Sequence, residues 1–289
     1  MPSPAHFPMI TSPHKLLREY DLKPKKRLGQ HFLVNPFTAR QIVDAAGIES
    51  DDIVVEIGAG LGALTIPLSK RAKGVIAIEY DKGLAGALKN EIKKASIKNV
   101  DIWIGDALKF DYYSISKKYN KKIKILGNLP YYISAPLLFL LLENSGVLSD
   151  ATIMLQKEVV KRLTARPGCK DYGILTIVFN LFAKIETLLQ LLPESFYPVP
   201  KVGSDVIKII WEEEKILDKS REKRFIKLLK TAFSQRRKTI YNALRKKLIV
   251  PQAQLKAILA DLSVFKMRPE QIEPTLYVEI YKKIEHFLA

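Results

Sequence analysis

Apolar positions follow two rhythms along this chain. Residues 53–57, 75–79, 100–104, 123–126 and 152–155 are short, nearly continuous apolar runs, the pattern of strands buried on both faces. Between them, apolar residues recur at helical spacing near 63–72, 82–95, 112–119 and 135–143. Strands alternating with helices at this interval predict a parallel sheet with crossover helices. Two later runs, 185–191 and 206–211, flank a proline-rich loop and predict an antiparallel hairpin. The expectation is an α/β fold with a mostly parallel seven-stranded sheet. Ahead of it, Asn35-Pro36 predicts a capped helix start and Gly47 its end.

The strand signal stops after Trp211-Glu212-Glu213-Glu214, and the text from 219 onward is helical, punctuated by Pro251, Pro269 and Pro274. Three segments are therefore expected. Residues 1–22 read as a flexible tail without the apolar core of a signal peptide. Residues 23–214 form the α/β domain, and 215–289 a small all-α domain. At 289 residues the chain is long enough for both.

Charge changes the picture. The 47 Lys+Arg outnumber 30 Asp+Glu, for a net charge of +17, which points to an anionic partner such as nucleic acid. The excess is concentrated: residues 219–248 hold twelve cations against the single acid Glu222, interleaved with Phe225, Phe233 and Tyr241. Cys169 is the only cysteine and the four histidines show no paired spacing, so no disulfide and no metal site is expected. No apolar run reaches 18 residues, so no membrane span is expected. The single cysteine fits a reducing interior, so a cytoplasmic protein is expected, with a monomer as the default.

Two motifs carry chemistry. The first, Glu56-Ile57-Gly58-Ala59-Gly60-Leu61-Gly62, places glycines where a strand turns into a helix, so that a ligand can approach the backbone. Glu79 closes the next strand, 19 residues after Gly60, where a carboxylate can accept ribose hydroxyls. Asp106 follows the third strand and can accept from an adenine amine. Gly58-x-Gly60-x-x-Ala63 also satisfies the dinucleotide fingerprint, so loop and Glu79 alone suit a nicotinamide cofactor as well as S-adenosylmethionine. Glu56, an acid before the first glycine, favours the cofactor with a cationic amine.

The second motif, Asn128-Leu129-Pro130-Tyr131, follows the fourth strand, on the ligand edge of a parallel sheet. The Asn128 amide oxygen and the Leu129 carbonyl can both accept from one NH2 group, and Tyr131 can stack on the ring that bears it. An adenine amine is a poor nucleophile because its lone pair is delocalised. Two acceptors on its hydrogens aim that lone pair at a sulfonium methyl, and alignment is the main catalytic resource.

With these residues in view, the chain resembles the ribosomal RNA adenine N6,N6-dimethyltransferases of KsgA type, within the Rossmann-like methyltransferases. The likeness runs from about Lys25 to Thr239. It is carried by Arg27-Leu28-Gly29-Gln30-His31-Phe32-Leu33, Glu56 to Thr65, Glu79-Tyr80-Asp81, Gly105-Asp106-Ala107 and Asn128-Leu129-Pro130-Tyr131-Tyr132-Ile133-Ser134. Gln156-Lys157-Glu158, Phe196-x-Pro198-x-Pro200-Lys201-Val202-x-Ser204 and Phe233-x-Gln235-Arg236-Arg237-Lys238-Thr239 complete it. The departures are Ala59 in place of the more common proline, Leu28 in place of an aromatic residue, and residues 1–22.

The resemblance implies S-adenosylmethionine as cofactor and S-adenosylhomocysteine as product. Gln30, His31 and Leu33 would cover its methionine end, Gly58 and Gly60 line its path, Glu79 hold the ribose and Asp106 the adenine, with Glu56 and Asn128 also among the cofactor-binding residues. Asn128, Leu129 and Tyr131 would handle the target base, with Phe196 on its other face. The implied substrate is a pair of adjacent adenosines in a hairpin near the 3′ end of small-subunit ribosomal RNA, within an immature small ribosomal subunit. Lys25, Lys26, Arg27, Arg236, Arg237 and Lys238 are the expected RNA contacts. Two alternatives share the fold: a non-catalytic RNA-binding assembly factor and a large-subunit rRNA adenine methyltransferase.

Overall fold

The structure is a computed structural model that describes residues 12–130, 133–214 and 216–288. Its main sheet has seven strands: β2 (Ile53–Ile57), β3 (Gly74–Glu79), β4 (Val100–Ile104), β5 (Ile123–Asn128), β6 (Leu148–Gln156), β7 (Ala183–Leu191) and β9 (Ser204–Trp211). Their order is β4-β3-β2-β5-β6-β9-β7. The first five run parallel, and β9 is antiparallel to β6. A separate two-stranded ribbon pairs β1 (Phe32–Leu33) with β8 (Phe196–Tyr197). The seven expected strands are all present, and β7 and β9 are sheet neighbours as expected, but β4, expected to be buried on both faces, is an edge strand with no fully buried residue.

The order reverses between β2 and β5. Parallel strands bind ligands beyond their carboxyl ends at such a switch point. Register tightens the crevice: Ile57 pairs with Gly127, and a Cβ on Gly127 would stand 2.3 Å from the Ile57 carbonyl oxygen. Only glycine allows β5 this close to β2.

Helices α3 (Thr65–Ser69), α4 (Lys82–Lys94), α5 (Tyr112–Tyr119) and α6 (Ser134–Glu143) occupy the predicted crossovers. Helix α2 (Pro36–Ala45) starts where expected, its cap made by Asn35 Oδ1 accepting from the Phe37 N–H at 2.8 Å. Gly47 beyond its end has φ +65°.

The expectation of a loose tail over 1–22 needs correction for its described part. Residues Pro13–Glu19 form helix α1, with Leu16 and Leu17 buried against Phe32, Leu61, Leu84 and Ala87. Two adjacent leucines in seven residues are too few to show a period, so the pattern hid it. Residues 1–11 lie outside the described part.

Packing divides the chain into two units: one up to residue 157 together with 186–210, the other 158–185 with 211 onward. The second unit is therefore larger than the all-α segment read from 215. It adds α7 (Lys157–Leu163) and α8 (Ile174–Phe182) to α9 (Lys219–Phe233), α10 (Ile240–Leu244), α11 (Gln252–Asp261) and α12 (Pro274–Ile284). Aromatic rings join these pieces: Phe225 meets Phe182 at 6.4 Å and Tyr281 at 5.7 Å between centroids. The buried Tyr172 hydroxyl donates to the Ile272 carbonyl at 2.7 Å. No helix among the described residues is long and apolar enough to cross a membrane.

Candidate active site

The site is an open cleft of about 1120 Å³ in the first unit, at the carboxyl ends of β2, β3, β4 and β5. Its floor is the glycine turn after β2. Gly58, Gly60 and Gly62 have φ of +78°, +56° and +86°, values that side-chain-bearing residues rarely adopt. A Cβ on Gly58 would also come within 2.8 Å of the Asn128 carbonyl oxygen. The turn is pinned from the neighbouring strand, where the Ile78 carbonyl accepts from the N–H groups of Gly58 and Ala59 at 3.0 and 3.1 Å.

Glu79 holds the same turn by its side chain. Oε2 accepts from the Gly60 N–H and Oε1 from the Asp81 N–H, both at 2.8 Å. Burial raises the carboxyl's pKa above the usual range, against the lowering effect of these N–H groups. Beside it, Glu56 is 1 % exposed, and its Oε2 has no hydrogen-bond partner. Burial pushes its pKa up to about 8, with the Glu79 charge adding and Thr65 opposing. A buried carboxylate oxygen without a partner, lining a cleft, is the natural counterpart of a cationic group on a ligand. Asp106 faces the cleft and caps the turn after β4, accepting from the Leu108 N–H at 3.0 Å.

Asn128 closes β5. Its Nδ2 donates to the His31 carbonyl at 2.9 Å, which leaves Oδ1 as an acceptor. Leu129 is anchored by its N–H to the Met154 carbonyl at 3.2 Å and also lines the cleft. Tyr131 lies outside the described residues.

The arm before β1 forms another wall. Gln30 Oε1 accepts from the Lys25 N–H at 2.7 Å, and its Nε2 donates to Asp81 Oδ2 at 3.0 Å. Lys25 Nζ reaches the same Asp81 oxygen at 2.8 Å. Burial alone would raise the Asp81 pKa, but Lys25, Gln30 and the Gly83 N–H hold it below the usual range. His31 Nδ1–H donates to the Pro198 carbonyl at 2.6 Å, and Leu33 pairs with Phe196 across the ribbon.

Every residue expected to meet the cofactor therefore lines one cleft, and Leu129 joins them. Other expectations need correction. Phe196 is 2 % exposed and packs with Leu33, Ile42, Val43 and Leu191 in the core. It pairs with Leu33 in the ribbon and is not among the residues that line the cleft. Arg236 is committed inside the second unit: it pairs with Glu270 and donates to the carbonyls of Cys169 at 3.1 Å and Lys170 at 2.7 Å. Lys25 is exposed but spends its charge on Asp81. Sequence reasoning missed Asp81 as the latch of the arm. Its place two residues after Glu79, at the cap of α4, was the available signal.

Comparison with known proteins decides the family. Residues 21–283 match the model for "Ribosomal RNA adenine dimethylase". The chain belongs to the ribosomal RNA adenine dimethylase family. Among curated family members, a ribosomal RNA small subunit methyltransferase A from Syntrophus aciditrophicus is 43 % identical over 82 % of this chain and 84 % of its own. Another from Desulforapulum autotrophicum is 39 % identical over 96 % of this chain and 97 % of its own. The crystal structure of a dimethyladenosine transferase from Plasmodium falciparum superposes with TM-score 0.75 at 29 % identity, covering 88 % of this chain and 98 % of that one. Within this family of methyltransferases, the cleft between the glycine turn and Asn128 is the candidate catalytic centre.

Proposed function

We propose that this dimethylase family member methylates the N6 amines of two adjacent adenosines in a hairpin near the 3′ end of small-subunit ribosomal RNA, twice each. The observation that carries this reading is the Asn128 clamp. With Nδ2 committed to His31, Oδ1 is held as an acceptor at the mouth of the cleft beside Leu129.

The residues present fit S-adenosylmethionine. The unpartnered Glu56 Oε2 would match an α-ammonium, Glu79, with its backbone bonds already made, would hold the ribose, and Asp106 would suit the adenine amine. Gln30, His31 and Leu33 wall the methionine end. When bound, the cofactor supplies a sulfonium methyl whose C–S bond breaks as a bond to N6 forms, leaving S-adenosylhomocysteine. Asn128 Oδ1 and the Leu129 carbonyl hold the two N6 hydrogens and direct the nitrogen lone pair. The surplus proton then passes to water, because an alkylated amine is acidic, so no side-chain base is required. A base must leave its stack to enter such a pocket, and Tyr131 is the residue placed in sequence to receive its face.

For RNA docking we assign the second unit's exposed cations. Arg224, Lys227 and Lys247 surround a notch beside Ile249, itself 90 % exposed, and Arg237 and Lys238 are also exposed. Phosphate contacts of this kind position the substrate without reading its sequence. The test is incubation of the protein with undermethylated small subunits and radiolabelled S-adenosylmethionine. Label recovered as N6,N6-dimethyladenosine supports the reading, whereas RNA binding without transfer would make the chain an assembly factor.

A further inference from the structure

Helix α1 precedes every motif that carries the family resemblance, yet it is built into the first unit at several points. Ser12 caps it, Oγ accepting from the Lys15 N–H at 3.4 Å. Leu16 and Leu17, 3 % and 4 % exposed, pack on Phe32, Leu61, Leu84 and Ala87. The residues just after the helix fasten it to α4. The Tyr20 hydroxyl donates to Glu91 Oε1 at 2.6 Å, and Lys94 bridges Glu19 at 2.6 Å and Glu91 at 2.8 Å. Leu22 lies so close to Gly83 that a Cβ there would stand 2.8 Å from it. The His14 ring also meets Tyr197, 3.5 Å between centroids and tilted by 36°.

The two leucines do different things. Both are buried in the same cluster, but Leu16, with Pro13, also forms part of the cleft surface, together with Leu61 and Leu84. Leu17 faces only the packed cluster.

We propose that α1 is a wall of the cofactor site, with Leu16 and Pro13 as cofactor-positioning residues supplied from ahead of the methyltransferase motifs. The proposal rests on the reading of the cleft as the S-adenosylmethionine site. An apolar wall strips water from one side of the ligand and blocks its exit there. Its contribution comes through apolar area removed from water. The ties to Glu91 and Lys94 hold the wall at fixed spacing from the glycine turn.

The test compares two leucines of equal size by calorimetric titration with S-adenosylhomocysteine. Leu16→Ala is expected to raise Kd roughly 5- to 30-fold, the range for truncating one apolar side chain that packs on a ligand, and Leu16→Met to restore most of it. Leu17→Ala, which costs comparable core packing, is expected to stay within about twofold of wild type. Equal Kd for Leu16→Ala and wild type, or equal losses in both alanine variants, overturns the proposal. A wild-type chain that fails to bind S-adenosylhomocysteine overturns the cofactor reading itself. Should Leu16→Ala not fold, hydrogen exchange of the wild type decides: ligand should slow amide exchange over residues 16–22, and unchanged exchange there rejects α1 as part of the site.

Discussion

The Asn128 side chain is tied to the His31 main chain, Nδ2 to carbonyl oxygen, at 2.9 Å across 97 residues of sequence. This bond couples the loop after β5 to the arm before β1, and it sets which end of the amide faces the cleft. Asn128→Ala removes both the acceptor and the tie. Methyl transfer should fall by about 100- to 1000-fold, the cost of losing one preorganised polar group at the reacting centre. RNA binding, measured by filter retention, should stay near wild type. Retained turnover would remove Asn128 from the mechanism.

Asp81 holds the arm at a second point, taking Lys25 and Gln30 on one carboxylate oxygen. Asp81→Ala should loosen residues 25–31, speeding their amide exchange, and weaken cofactor binding by roughly tenfold, the worth of one charge-assisted hydrogen bond. Because Lys25 is exposed, part of the effect should disappear at high salt. Unchanged exchange over the arm would show that the ribbon alone positions it.

Glu56 links cofactor affinity to pH. Its carboxyl is raised to about 8 by burial, so the free protein carries it mostly protonated at neutral pH, while a bound ammonium favours the carboxylate. Binding must then release a proton, and affinity should rise between pH 6 and 8 and level off above. The stability of the ligand-free protein runs the other way. The unfolded chain loses this proton near 4.5 and the folded chain near 8, so the folded state binds more protons in that window and loses stability as pH rises through it. Glu56→Gln should flatten both trends relative to wild type. Titrations in buffers of different ionisation enthalpy check the proton release directly, and none released would refute the role.

Arg236 and its neighbours should separate by phenotype. Arg236→Ala breaks the bonds to Glu270 and to the carbonyls of Cys169 and Lys170, so it should lower the melting temperature. Replacing Arg224, Lys227 and Lys247 by Ala should leave folding intact and weaken RNA binding. The slope of log affinity against log salt should shrink by roughly 0.7–0.9 for each phosphate that is no longer neutralised. Equal effects of both changes on RNA and on stability would contradict the assignment.

Much of this was legible in the residues. Strands buried on both faces show as continuous apolar runs, and the glycine turn, Glu79 and Asp106 fall at strand ends where ligands bind. What stayed hidden depends on partners distant in sequence. Helix α8 is apolar almost throughout, with Thr176 and Asn180 as its polar residues, so no amphipathic pattern marks it in the sequence. Phe196 is equally compatible with a pocket or a core, and its burial in the cluster with Leu33 and Leu191 is visible only in the fold. The number of cations cannot tell that Arg236 meets Glu270, 34 residues on. Two leucines in α1 show no period, although both are buried and Leu16 lines the cleft.

The most direct test is a structure of the protein with S-adenosylhomocysteine and an adenosine-bearing hairpin from small-subunit ribosomal RNA. The adenine N6 should lie within hydrogen-bond reach, roughly 2.7–3.2 Å, of both Asn128 Oδ1 and the Leu129 carbonyl oxygen, on the side facing the sulfur. An adenine docked elsewhere, or an Asn128 amide turned from the base with Oδ1 bonded within the protein, would contradict the account.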